Sequence, residues 1–120
     1  MNIEDLREYC LAKPHTTEEL PFDEDTLVFK VAGKMFVLCS MSEYQNGIAL
    51  KCDPEEAVEL KEKYHQVQPP YHMSKTHWIS VLPEAGLSDL LLQQWIDNSY
   101  NLVVKGLTKK LQKELGFIPA

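Results

Sequence analysis

Long apolar runs are missing from this 120-residue chain. None approaches the roughly 20 residues that a membrane-spanning helix needs, so no such helix is expected. Cysteine is scarce: Cys10, Cys39 and Cys52 are too few and too scattered for a disulfide framework, and no two form a C-x2-C pair suited to a metal. Each falls at an apolar position of its segment, where a free thiol behaves as a small hydrophobe, and all three are expected to be buried. Glycine is equally sparse, five residues in all, and no Gly-rich phosphate loop is present. G-x-S-x-G and H-E-x-x-H are absent too. No catalytic residue, metal site or cofactor is therefore expected, and the chain is expected not to be an enzyme. The opening Met1-Asn2-Ile3-Glu4-Asp5 lacks the basic-then-apolar order of a secretory signal, which points to a cytoplasmic protein.

Positive charge is also in short supply. The formal net charge is −6, which disfavours simple phosphate binding. Its distribution changes the picture. Residues 1–25 hold eight acids and two bases, and residues 53–64 hold five acids and two lysines. The remainder is net positive and can present a basic face.

A hydrophobic fraction of 44% and a charged fraction of 25% fit one ordinary globular domain over residues 1–120. Asn2 can cap a helix running to about Leu11, which Pro14 ends. Residues 15–25 read as an irregular, acidic and solvated connection anchored by Phe22. From Thr26 the period becomes two. Two strands meet around Ala32-Gly33-Lys34, and a third follows Gln45-Asn46-Gly47, whose Asn-Gly suits a tight type I′ turn. Asp53-Pro54-Glu55-Glu56 starts a helix with an N-cap, a proline and a capping-box glutamate. Pro69-Pro70 keeps Val67–His72 extended, and His77–Leu82 reads as a late strand. Ser88 caps the longest helix, with Leu92, Trp95, Ile96, Ser99 and Val103 as its buried stripe. Gly106 is placed to stop it and Thr108 to start a short basic helix, unless one continuous helix runs through.

Four stretches are familiar in combination: Gly33-Lys34-Met35-Phe36, Leu50-Lys51-Cys52-Asp53-Pro54, Tyr71-His72-Met73-Ser74-Lys75-Thr76-His77-Trp78-Ile79-Ser80-Val81, and Ser99-Tyr100. In this order and spacing the chain resembles the MmcQ/YjbR family over almost its whole length. The resemblance implies an α+β fold, with an N-terminal helix and a mostly antiparallel sheet: a three-strand meander plus one or two later strands. A helix follows the meander, and further helices lie at the C-terminus. It also implies a DNA-binding domain of the double-wing type. Thr108 departs from the family, whose members often have proline there.

The candidate contacts to DNA are Lys34, Lys51, His72, Lys75 and His77. Lys34 sits at a hairpin tip, where a wing would present a cation to a phosphate, although a solvated turn lysine fits as well. Lys51 alternates outward from Leu50 and Cys52. His72 and His77 flank Lys75; they meet a phosphate or base edge, or one packs under the sheet while the other bonds to backbone. Trp78, beside Ile79 and Val81, is expected in the core, with stacking on a base as its alternative. Two functional classes follow: a domain binding duplex DNA, or a protein-interaction module, homodimeric or with another partner, that binds no nucleic acid.

Overall fold

A computed structural model describes all residues, 1–120. Helix α1 (Ile3–Leu11) opens the chain, its N-terminus capped by the Asn2 side chain accepting from the Asp5 N–H. Strands β1 (Thr16–Glu19), β2 (Thr26–Val31), β3 (Lys34–Ser40) and β4 (Ile48–Lys51) follow. Then come α2 (Pro54–Lys63), β5 (Val67–Gln68), β6 (Trp78–Val81), α3 (Asp89–Lys105) and α4 (Lys109–Glu114). The architecture is α+β, as the family resemblance implies. The six strands form one sheet in the order β1-β2-β3-β4-β6-β5, antiparallel throughout. No helix is long and apolar enough to cross a membrane.

The helices cover one face. Leu27, Phe29, Val31, Val37, Cys39, Ile48, Leu50, Ile79 and Val81 turn inward to meet Leu92, Trp95, Ile96, Ser99, Tyr100 and Val103 of α3, and Leu6 and Cys10 of α1. Tyr64, just past α2, packs edge-on against Trp95 at 5.1 Å between ring centroids, a favourable aromatic geometry. Tyr9 of α1 donates to Asp97 of α3 at 2.7 Å, and Lys13 pairs with the same carboxylate. The chain breaks before α4. Thr108 caps the new helix by accepting from the Leu111 N–H at 3.1 Å, so Lys109 and Lys110 open a helix and do not lie within a continuous one.

Four expectations need correction. Residues 16–19 are a strand: β1 pairs with β2, Arg7 grips Glu18 through two bonds of 2.8 and 2.9 Å, and Lys30 holds Glu19. The Thr-Thr-Glu-Glu segment lacks an apolar alternation because it is an edge strand, held by its ladder and ion pairs. The β3–β4 link is not a two-residue hairpin. Tyr44–Asn46 forms a single 3-10 turn, with Tyr44 buried and its hydroxyl bonded to the Met1 carbonyl, which lengthens the connection. Phe22 is 63% exposed and anchors nothing in the core. Trp78 is half-buried and lies outside the core cluster, because its register opposite Lys51 puts it on the other side of the sheet from Ile79. The turn at Ala32-Gly33 does form as expected, with φ of 49° and 80°, the two positive values of type I′.

One hydroxyl joins α3 to the sheet. The β2–β3 register slips at Phe29/Lys30, so that Phe36 and Val37 both turn into the core. Beyond Val37↔Leu50 the β3–β4 ladder stops. There the fully buried Ser99 Oγ–H donates to the Phe36 carbonyl at 2.6 Å, while Ser99 Oγ accepts from the Lys51 N–H at 2.9 Å. Replacing Ser99 by alanine leaves a buried donor and a buried acceptor unpaired, each worth about 1–3 kcal/mol when orphaned. Ser99→Ala is therefore expected to destabilise by about 2–4 kcal/mol in denaturant melts. A loss below about 0.5 kcal/mol would show that the two backbone groups pair directly without it.

The three thiols are buried, and burial pushes Cys10 and Cys39 up to about 12 and Cys52 to about 11. At about pH 8 an ordinary thiol is partly ionised, whereas these carry almost no thiolate. A thiol reagent should label the native protein slower than the unfolded chain by about two orders of magnitude or more. Fast native labelling of one cysteine would place it at the surface.

Candidate binding face

The face of the sheet turned away from α3 has no helix over it. Register sets a row across it: Val28 opposite Leu38, Leu38 opposite Ala49, Ala49 opposite Ser80. The chain between β5 and β6 crosses this face, kept extended at its start by Pro69-Pro70. Between the crossing segment and the strands lies a cleft of about 860 Å³, the size of a small-molecule site. Leu38 and Ala49 form its apolar floor, and Pro70, Tyr71, His72 and Met73 overhang it.

The opposite wall is acidic and well ordered. Asp23 accepts from the Asp25 and Thr26 N–H groups at 2.9 and 2.6 Å and from the Thr26 hydroxyl at 3.0 Å. Asp25 accepts from the Ser40 hydroxyl at 2.5 Å and the Ser42 N–H at 2.8 Å. These bonds favour the charged forms: those from the Thr26 N–H and the Ser40 hydroxyl weigh most in holding Asp23 and Asp25 below the ordinary carboxylate range. Glu43 extends the wall. Asp23 is exposed, as expected of a solvated connection, and Asp25 is half-buried; the turn they order is not among the expectations. The legible signal was an aspartate two and three residues before backbone N–H groups it can cap, an Asx turn.

At the floor, Ser80 is 6% exposed and its hydroxyl has no protein hydrogen-bond partner; what remains accessible opens into the cleft. Gly47 lies beside it. A Cβ at position 47 would meet Ser80 Oγ at 2.2 Å, and the φ of 136° also favours glycine. Sequence reasoning missed Ser80, because one polar residue in an alternating strand looks like any outward-facing position.

The five residues expected to meet DNA separate into two sets. Lys51 closes β4 opposite Trp78, which opens β6. Lys75 lies in the turn closed by the Trp78 N–H to Ser74 carbonyl bond, and the His77 carbonyl accepts from the Cys52 N–H. Lys51, Lys75 and His77 thus gather where β4 ends and β6 begins. Lys34, exposed at the β2–β3 tip, is at the same end of the sheet. His72 lies apart from them and lines the acidic cleft. Lys34, Lys51 and Lys75 form no ion pair, as is true of every lysine except Lys13 and Lys30, while Arg7 also pairs. A second, smaller hollow of about 450 Å³ at the start of α2 is lined by Asp53, Glu55, Glu56 and Glu59 beside Lys63.

Known proteins share this arrangement of helices and sheet. The family model described as YjbR matches residues 11–102. YbdF of Escherichia coli O157:H7 is 43% identical over 95 residues, covering 79% of this chain and 78% of that protein. YjbR of Escherichia coli K12 is 30% identical over 115 residues, covering 96% of this chain and 98% of its own length. Among solved structures, Deinococcus radiodurans protein DR2400, of domain family DUF419, superposes with a TM-score of 0.88 at 38% identity, over 96% of this chain and 88% of that one. A protein from Pseudomonas syringae superposes with a TM-score of 0.73 at 28% identity, over 85% of this chain and 98% of that one. With the family model spanning most of its length and YjbR matching nearly end to end, the chain belongs to the YjbR family.

Proposed function

We propose that this chain is a cytoplasmic, non-enzymatic module that binds duplex DNA with the end of the sheet carrying Lys34, Lys51, Lys75 and His77. The observation that carries the reading is that Lys34, Lys51 and Lys75 share one end of the sheet and have no acidic partner. Their charge is available to phosphates, and Lys34 on a hairpin tip has the reach of a wing. Lys51 and the half-buried Trp78 stand side by side on the face that no helix covers. The acids of α2 belong to the helical layer, where Ala57 packs in the core. His72, which lines the acidic cleft, is left out of the contact set.

Three neutralised phosphates would make log K fall against log salt with a slope near −2.7, at about −0.9 per contact. A fluorescence titration of a short duplex at several salt concentrations checks this. Lys34→Ala should flatten the slope by about one unit and weaken binding alike on unrelated sequences, and Lys51→Ala should do the same. No detectable binding at low salt would rule out DNA as the ligand and leave a protein-interaction module, for which self-association is the next measurement.

A further inference from the structure

We propose that the cleft on the open sheet face binds a small organic cation, an ammonium group carried on an apolar body. This site is distinct from the lysine-bearing end and does not depend on DNA binding. Asp23, Asp25 and Glu43 line the cleft, no lysine or arginine does, and none of the three acids forms an ion pair. His72 is the one basic group present. An anion would be repelled here, and a cation would meet uncompensated negative charge.

The acids are prepared for this role by their surroundings. A carboxylate offers about four lone-pair positions. Asp25 uses two of them, on the Ser40 hydroxyl and the Ser42 N–H, so the rest remain for a ligand while the group is fixed in orientation. Such preorganisation removes part of the entropic cost of binding. The independent sign of a ligand is Ser80. The residue is only 6% exposed, yet its hydroxyl has no protein partner and stays accessible, so its hydrogen-bonding capacity is open to a ligand's polar group or to water in the cleft. A side chain at position 47 would push Ser80 Oγ out of this position, and glycine leaves it room.

The rest of the cleft suits an apolar body. Leu38 and Ala49 give it a flat floor, and Met73 adds a flexible thioether that adapts to shape. At the rim, Tyr71 is 82% exposed and Phe22 63%, two aromatic rings with little to pack against in the free protein. Both can cover an apolar ligand, and either can lend a ring face to a cation. The acids and His72 do not gather into a group that could hold a metal ion, so the cation fitted here is organic.

The test uses the full chain and three probes of one shape: 2-phenylethylamine, 2-phenylethanol and phenylacetate, titrated by calorimetry or ligand-observed NMR near neutral pH. The amine should bind at least about tenfold more tightly than the alcohol, as a hydrogen bond to a charged group outweighs a neutral one, and phenylacetate should bind least. Glu43→Gln and Ser80→Ala should each weaken the amine by about three- to tenfold, and Glu43→Gln should weaken the alcohol less than the amine. Asp25→Asn should cost the most, but Asp25 also orders its turn, so the two milder variants decide the question if Asp25→Asn fails to fold. Equal affinity for amine and alcohol would overturn the proposal. So would amine binding indifferent to both Glu43→Gln and Ser80→Ala, or no binding of any probe at millimolar concentration.

Discussion

The Ser99 hydroxyl is the point on which the arrangement of the layers depends. It is fully buried and satisfies two backbone groups at once, one on β3 and one on β4, where the ladder between those strands ends. A helix held only by apolar contacts can slide at modest cost, because dispersion and burial are not directional. A helix whose side chain completes the sheet's own hydrogen bonding has one register. The bulge in β3 makes the contact possible, turning Phe36 and Val37 inward together and leaving the Phe36 carbonyl for Ser99. Phe36 then meets Tyr100 edge-on at 5.2 Å, and the Tyr100 hydroxyl donates to the Pro14 carbonyl at 2.6 Å, tying in the end of α1.

With α3 fixed on one side, the opposite face is left free of helices, and its chemistry is polarised along the strands. At the end where β2 begins and β3 finishes, Asp23, Asp25 and Glu43 surround the cleft. At the other end stand Lys34, Lys51, Lys75 and His77. Antiparallel pairing produces this separation: every strand crosses from one end to the other, so charge at strand starts and strand ends collects by parity. The segment from Pro69 to His77 spans both regions, placing His72 in the first and Lys75 with His77 in the second. Two residues of one short motif are thereby assigned to different surroundings.

Much of this was legible in the amino-acid sequence where local chemistry is strong. Ser88 and Asp53 cap helices, Leu92 through Val103 form a stripe, and Ala32-Gly33 turns the chain, all as their residue types dictate. What stayed hidden depends on partners distant in the chain. Thr16–Glu19 has no pattern of its own and becomes a strand only because β2 offers an edge and Arg7 and Lys30 supply countercharges. Trp78 looks like core until register sets it opposite Lys51. Ser99 reads as one more member of a buried stripe, and its pairing with groups 48 and 63 residues away has no local signature. For the same reason the candidate cleft could not be foreseen: Asp25, Gly47, His72 and Ser80 come from four separate segments.

Amide hydrogen exchange at Lys51 tests the central claim most directly, since that N–H has Ser99 Oγ as its acceptor. Lys51 ends its strand, and a terminal amide that merely frays exchanges quickly. If Ser99 joins helix to sheet as described, the Lys51 amide exchanges as slowly as those of Val37 and Leu50, only through global opening. In Ser99→Ala its protection falls much further than theirs. Rapid exchange at Lys51 in the unaltered protein would contradict this view of the fold, because α3 would then rest on the sheet without the bond that sets its register.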